Sequence, residues 1–357
     1  MKKINLLLTG LLISMFSIAQ EEPKTEEFVP NGNVMGKVFA NFHYDFTQDA
    51  NHTAFELTRA YLGYKHNFSK DVSGVALLDV GADDGSVYTA YLKNAYLQWK
   101  ATDKLTMSFG LAGTKQFKEQ ESFWGYRYIM KSFQDQYKFG SSADAGAYLD
   151  YKANDYISLD LSINNGEGYK KAQDADGDYK YGAGLTIKPL KGLIIRGYYD
   201  IVTIPSKGDT LTGLKESQST IAGFIGYKND KFRIGAEYNI QANNKSNQGA
   251  DLTGISGYLT IVLSKKIEVF GRYDMLASNK IDSKDLNNWN YAKDGSAIIG
   301  GIHYKPVKNV AVSLNYQGWT PAQGKEIDID PNTSMPIEVD TDFPQNPFVY
   351  VNLEYKF

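Results

Sequence analysis

The chain is 357 residues long, with no cysteine, 38 basic and 41 acidic side chains, and a formal charge of −3. That balance gives no sign of a nucleic-acid surface, and without cysteine neither disulfides nor thiolate metal sites can form. The 26 Tyr and 18 Phe are a heavy aromatic load, of the kind that interface girdles in a membrane wall require.

Lys2 and Lys3 precede a mostly apolar stretch, Ile4 to Ile18, and Ser17-Ile18-Ala19 has the small-x-small form of an export cleavage site. Residues 1–19 therefore read as a signal peptide, with the mature chain starting at Gln20. The stretch is short of the roughly 20 apolar residues a spanning helix needs, and no Cys follows it to carry a lipid. Residues 20–33 read as a periplasmic leader. Beyond Ala19 no run of 18 apolar residues occurs, so a mature chain sited in a membrane must cross it with strands.

Alternation and turn signals predict strands over 34–46, 54–66, 71–81, 87–100, 104–113, 142–152, 155–164, 179–188, 191–203, 217–228, 231–242, 252–263, 266–277, 294–305, 308–318 and 347–357, sixteen in all. Three contain near-repeats: Arg59-Ala-Tyr-Leu-Gly-Tyr-Lys65, Asn94-Ala-Tyr-Leu-Gln-Trp-Lys100 and Gly146-Ala-Tyr-Leu-Asp-Tyr-Lys152. One face of each is Ala, Leu and an aromatic; the other is mixed or polar, which suits a wall between lipid and water. Connections after even strands are tight, as at 67–70, 101–103, 153–154 and 229–230. Those after odd strands are mostly longer, with 114–141 and 319–346 the longest.

These features predict an all-β fold: a transmembrane antiparallel β-barrel of about 16 strands over 34–357, with a long inward-folded third loop. Both termini fall on the periplasmic side, and the first and last strands pair to close the sheet. A soluble sandwich or propeller also alternates. Against it, the aromatic-Lys strand ends gather at one edge, and the chain closes on Val349, Val351, Leu353, Tyr355 and Phe357.

Period-two parity assigns Arg59, Arg196, Arg233, Glu237, Glu268, Arg272 and Asp274 to the lumen. The remaining Arg, Arg127, lies in the third loop with Lys115, Lys118, Lys131 and Lys138, against Glu119, Glu121 and Asp135. A loop of net positive charge narrowing the pore raises the local anion concentration. The competing reading is that the strand arginines pair with Asp200, Glu237, Glu268 and Asp274 and stiffen the wall. The last loop opposes an anion preference, with six acids (Glu326, Asp328, Asp330, Glu338, Asp340, Asp342) against Lys325.

The repeated Ala-Tyr-Leu-x-Tyr-Lys strands, the segment Phe123-Trp-Gly-Tyr-Arg-Tyr-Ile-Met-Lys-Ser-Phe-Gln-Asp135, the following Ser142-Ala-Asp-Ala-Gly146 and the terminal Phe357 resemble porins of the phosphate-selective porin O and P superfamily, in its Bacteroidetes-type form. The resemblance spans almost the whole mature chain. It implies a Gram-negative outer-membrane protein: a sixteen-stranded, homotrimeric, passive channel for small hydrophilic solutes or anions. It also implies lipid and lipopolysaccharide as surroundings, and Phe357 as the signal to the barrel assembly machinery. The pore constriction would fall to Lys115, Lys118, Trp124, Arg127 and Lys131. The chain departs from the arginine-rich pattern behind phosphate selectivity, having five Arg in total.

Two other readings stay open. In one, Trp124, Tyr126 and Tyr128 form a slide for sugars or peptides. In the other, the barrel is a non-conducting enzyme or adhesin. For an enzyme, His43, His52, His66 and His303 are scattered without metal-ligand spacing, and no nucleophile–base constellation assembles. Asp174 to Asp178 resembles part of a calcium loop but lacks its sixth-position Gly and twelfth-position Glu. The chain is therefore expected to work without catalysis, cofactor or metal.

Overall fold

The structure is a computed structural model. It describes residues 28–47, 53–83, 87–173, 177–203, 211, 213–330, 335–341 and 343–357. The expected signal peptide, most of the leader, and part of the calcium-like segment lie outside the described residues.

Sixteen antiparallel strands close into one barrel. They are β1 (Asn31–Asp45), β2 (Ala54–Asn67), β3 (Val72–Asp83), β4 (Val87–Lys100), β5 (Leu105–Gly113), β6 (Ala143–Lys152), β7 (Ile157–Asn164) and β8 (Lys180–Ile187), followed by β9 (Leu193–Val202), β10 (Ser219–Lys228), β11 (Phe232–Ala242), β12 (Leu252–Val262), β13 (Ile267–Ser278), β14 (Gly295–Tyr304), β15 (Val310–Pro321) and β18 (Asn346–Lys356). Each strand pairs with its sequence neighbours, and β1 pairs with β18 from Lys37↔Lys356 to Asp45↔Phe348. Backbone bonds between Gly36 and Phe357, at 3.0 and 3.1 Å, carry that seam to the last residue. The barrel matches the expected strand count, although β1 starts at Asn31, inside the segment read as leader.

The last loop differs from expectation. It carries a separate hairpin, β16 (Gly324–Ile329) with β17 (Pro336–Thr341). Ile327 and Ile337 remain exposed on it, and Lys325 pairs with Glu338 at 3.1 Å. Its acids dominated the sequence pattern and masked the strand alternation beneath them.

Side chains divide by face as the period-two geometry of a strand dictates. On β11, Glu237, Asn239 and Gln241 are buried within the barrel, while Ile234, Tyr238 and Ile240 are exposed on the outside. On β13, Phe270, Arg272 and Asp274 point in and Tyr273 points out. The outer wall is an apolar belt. Aromatics flank it near the tight-turn end (Tyr64, Trp99, Tyr151, Tyr304, Tyr355) and again farther along the strands (Tyr199, Tyr238, Tyr273, Tyr316). A closed barrel with such a belt leaves no edge for lipid to strand, so it crosses a bilayer of the Gram-negative outer-membrane type.

Two irregularities matter for the lumen. The β1–β2 register shifts at Phe39/Ala40, where Thr58 is the extra residue. The β3–β4 register shifts at Leu77/Leu78, where Lys93 is the extra residue. A bulge re-aims side chains, and each of these sits beside a cation on the inner face, Arg59 and Lys93.

Gly110 on β5 has φ +117°, and a Cβ there would lie 2.4 Å from the Ala95 carbonyl oxygen. Gly223 on β10 has open space around the same position. Gly110→Ala is expected to destabilise the barrel by about 2 kcal/mol through strain and crowding. Gly223→Ala is expected to be neutral or stabilising by about 0.5 kcal/mol. Urea unfolding in lipid vesicles compares them; equal effects would refute this account of Gly110.

Candidate pore constriction

The segment between β5 and β6 enters the barrel rather than the solvent. It forms two short helices, α1 (Lys118–Trp124) and α2 (Phe133–Gln136). Gly125, at φ +77°, ends α1 and returns its N–H to the Glu121 carbonyl at 3.0 Å; the left-handed turn favours glycine there. The chain then turns through Tyr126, Tyr128 and Met130.

One side of this loop is an aromatic core against the β8–β15 wall. Phe123 packs on Phe224, Trp124 on Tyr258 and Phe270, and Tyr126 on Phe270 at 4.7 Å. Farther on, Phe133 and Phe139 pack with Leu252 and Leu276. Each such ring contributes about 1.5–3 kcal/mol when removed from water, so the inward fold of the loop rests mainly on apolar burial.

Polar groups set its register. Tyr126 donates to Glu268 at 2.6 Å, and Tyr137 to Asp274 at 3.1 Å. Tyr128 shares a 2.6 Å hydrogen bond with His303 Nδ1, which makes His303 an anchor for the loop. Arg272 holds Asp274 through two bonds, at 2.8 and 2.6 Å, donates to the Lys131 carbonyl at 2.7 Å, and lies over the Trp124 ring at 4.9 Å. Arg196 holds Asp160 through two bonds and donates to the Lys115 carbonyl at 2.8 Å. Arg233 lies over the Tyr126 ring at 4.8 Å.

The inward-facing residues therefore have three fates. Arg196, Glu237, Arg272 and Asp274 lie beneath the loop, away from open water. Arg233 and Glu268 contact the loop from the wall, and Arg59 borders open space. Trp124 departs from its expected role. Its side chain is 1% exposed and its indole donates to the Met130 carbonyl at 2.9 Å, so it packs the loop onto the wall and does not line a path. Lys115 is held by Asp150 at 2.6 Å, and with exposed Lys118 it lines a side cavity of about 270 Å³.

The free side of the loop faces β1–β4 and the neighbouring β18 and β15 across two chambers. The loop-side chamber, about 270 Å³, is lined by Glu56, Arg59, Arg127, Lys131 and Tyr350. The turn-side chamber, about 320 Å³, is lined by Lys37, Tyr61, Lys93, Glu121 and Arg127. Arg127 belongs to both, and is clamped between the carboxylates of Glu121 and Asp135. Burial pushes the Asp135 carboxyl up, but Arg127 and Lys131 outweigh it and hold it below the usual carboxylate range. Opposite, Asp79 lies 3.2 Å from Arg59 and 3.6 Å from Lys93, and accepts from Tyr169 at 2.6 Å.

The fold places this chain among known barrels. The anion-selective porin from Comamonas acidovorans superposes with a TM-score of 0.64 at 12% identity, over 92% of this chain and 100% of that one. OmpF of Salmonella typhi, solved with daunomycin, gives 0.62 at 12% identity over 91% and 97%. OmpT of Vibrio cholerae, an outer-membrane protein, gives 0.60 at 14% identity over 93% and 99%. The fold is that of the outer-membrane porins. No protein-family model matches the chain, and no curated protein matches it by sequence.

Lys93, Asp79 and Tyr169 were missed as lumen residues. Lys93 is the extra residue of a bulge, where period-two parity breaks, and Tyr169 arrives from the connection after β7. The pairing partner signalled by sequence was a carboxylate near each Arg; for Arg272 that proved to be Asp274, and for Arg196 it was Asp160 on β7.

Arg272→Leu alone is expected to destabilise the barrel by about 3–5 kcal/mol, because it leaves Asp274 buried and unpaired. The double variant Arg272→Leu, Asp274→Leu is expected to recover most of that loss. Unfolding midpoints in vesicles decide it; an additive double variant would show that the pair is not the loop's electrostatic anchor.

Proposed function

We propose that this chain is a passive outer-membrane diffusion channel for small hydrophilic solutes, with a mild preference for anions, of the kind its sequence resembles in the phosphate-selective porin O and P superfamily. The observation that supports the reading is the pair of chambers beside the loop, both lined by Arg127. In this reading the chambers join into a water-filled path, and solutes pass by diffusion without a catalytic step.

The charge lining favours anions only slightly. Lys37, Arg59, Lys93, Arg127 and Lys131 face the chambers with Glu56 and Glu121; adding Asp79 and Asp135, which pair with Arg59 and Arg127, gives five cations against four carboxylates. Five against four is a weak field, unlike an array built to hold phosphate. The functional unit in this reading is a homotrimer in outer-membrane lipid and lipopolysaccharide, delivered by the barrel assembly machinery through Phe357.

Purified protein in a planar bilayer is expected to give discrete conductance steps, with a reversal potential under a KCl gradient displaced toward chloride. The double variant Arg127→Ala, Lys131→Ala is expected to move it toward potassium while keeping the steps. An unmoved potential would place selectivity elsewhere, and a silent bilayer would refute the channel.

A further inference from the structure

A cavity larger than either constriction chamber adjoins them. It lies on the loop side, about 590 Å³ in volume, between the outer ends of β12–β15 and β18 and the tip of the third loop. Its lining combines rings and ammonium groups with the side-chain amides of Gln136, Gln218, Asn244, Asn290, Gln317 and Asn346. Tyr137, Trp289, Trp319, Phe348 and Tyr350 present rings, backed by Met130, Leu252, Leu276 and Ile299. Lys138, Lys245 and Lys293 present ammonium groups from three separate loops, and no Asp or Glu among the described residues lines the space.

The rings are held in place. The Trp289 indole donates to the Asp251 carbonyl at 2.9 Å, and the Trp319 ring lies 5.8 Å from that of Tyr137. The lysines are exposed, and none is ion-paired among the described residues. Lys138 and Lys245 both hold positive φ, at 62° and 54°, a conformation that non-glycine residues adopt only when the surroundings impose it.

Each chemistry excludes a class of ligand. A small inorganic anion would meet the ammonium groups and leave the apolar wall wet. A neutral ring would meet the wall and gain nothing from the lysines. A flat apolar body with one anionic group satisfies both, through ring stacking and a charge-assisted contact to Lys. The volume leaves ample room for a ligand of one or two fused rings.

We propose that this vestibule is a binding subsite for aromatic monoanions, such as aryl carboxylates. It shares Met130, Gln136, Gln317 and Tyr350 with the chamber that contains Lys131 and Arg127, so a ligand held there sits at the entrance to the path. The inference deepens the channel reading and rests on it for the consequence that such solutes are concentrated before passage.

The test is calorimetric titration of the full-length barrel in nanodiscs with 2-naphthoate, with empty discs subtracted. Acetate and 2-naphthylmethanol serve as the charge-only and ring-only probes. Naphthoate is expected to bind at least about tenfold tighter than either. The triple variant Lys138→Ala, Lys245→Ala, Lys293→Ala lies in exposed loops, and is expected to weaken naphthoate about tenfold without changing naphthylmethanol. Trp319→Leu is expected to weaken naphthoate and naphthylmethanol together. The proposal is overturned if acetate binds as tightly as naphthoate, if naphthylmethanol does, or if the lysine variant binds naphthoate unchanged. Conductance on the same preparation separates the two readings. Binding without conductance overturns the channel alone, whereas conductance without naphthoate binding overturns the subsite alone.

Discussion

A backbone that crosses lipid must satisfy every N–H and C=O within the protein, and in this chain closure of the β1–β18 seam meets that requirement. The seam runs to the terminal residue, where Phe357 and Gly36 exchange backbone hydrogen bonds. Everything else follows from a closed wall. Once there is no edge, period-two alternation forces one set of side chains toward lipid and the other inward. The outer set becomes an apolar belt with aromatic flanks; the inner set becomes a crowded polar lining.

That inner set cannot stay fully solvated, because the third loop folds into the lumen. The loop carries its own apolar face, from Phe123 through Phe139, and rings on β10, β12 and β13, with Phe39 and Tyr61 on β1 and β2, complete the cluster. Apolar burial fixes where the loop lies, and ion pairs fix its register. Arg272 with Asp274 and Arg196 with Asp160 act as buried struts whose remaining donors hold loop carbonyls. Structural pairing and a place beside the chambers, offered as rival explanations for the arginines, coexist at Arg59 and Arg127. Both line a chamber, and both are ion-paired, with Asp79 and with Glu121 and Asp135.

The barrel was largely legible from the chain. Alternation in segments such as Arg59 to Lys65 and the contrast between tight turns and long loops suffice for strand number, order and inner face. The local signal failed where a residue stepped outside the two-residue period or where a loop acquired its own packing. Lys93 is the extra residue of a bulge, so parity could not assign it. Trp124 had the composition of a pore aromatic, yet its partners, Tyr258 and Phe270, lie well over a hundred positions away in the chain. The hairpin in the last loop was concealed by its charge.

By itself the sequence determined the closed antiparallel wall, the lipid-facing belt and the identity of the charged residues available to the lumen, because these depend on neighbours one and two positions apart. Which charges lie beneath the loop, that Arg127 lines both chambers beside it, and that a cavity of rings and lysines adjoins them, all came from the folded chain. Those outcomes depend on where the third loop packs in the barrel, which is set by contacts between residues distant in the chain and invisible to any local period.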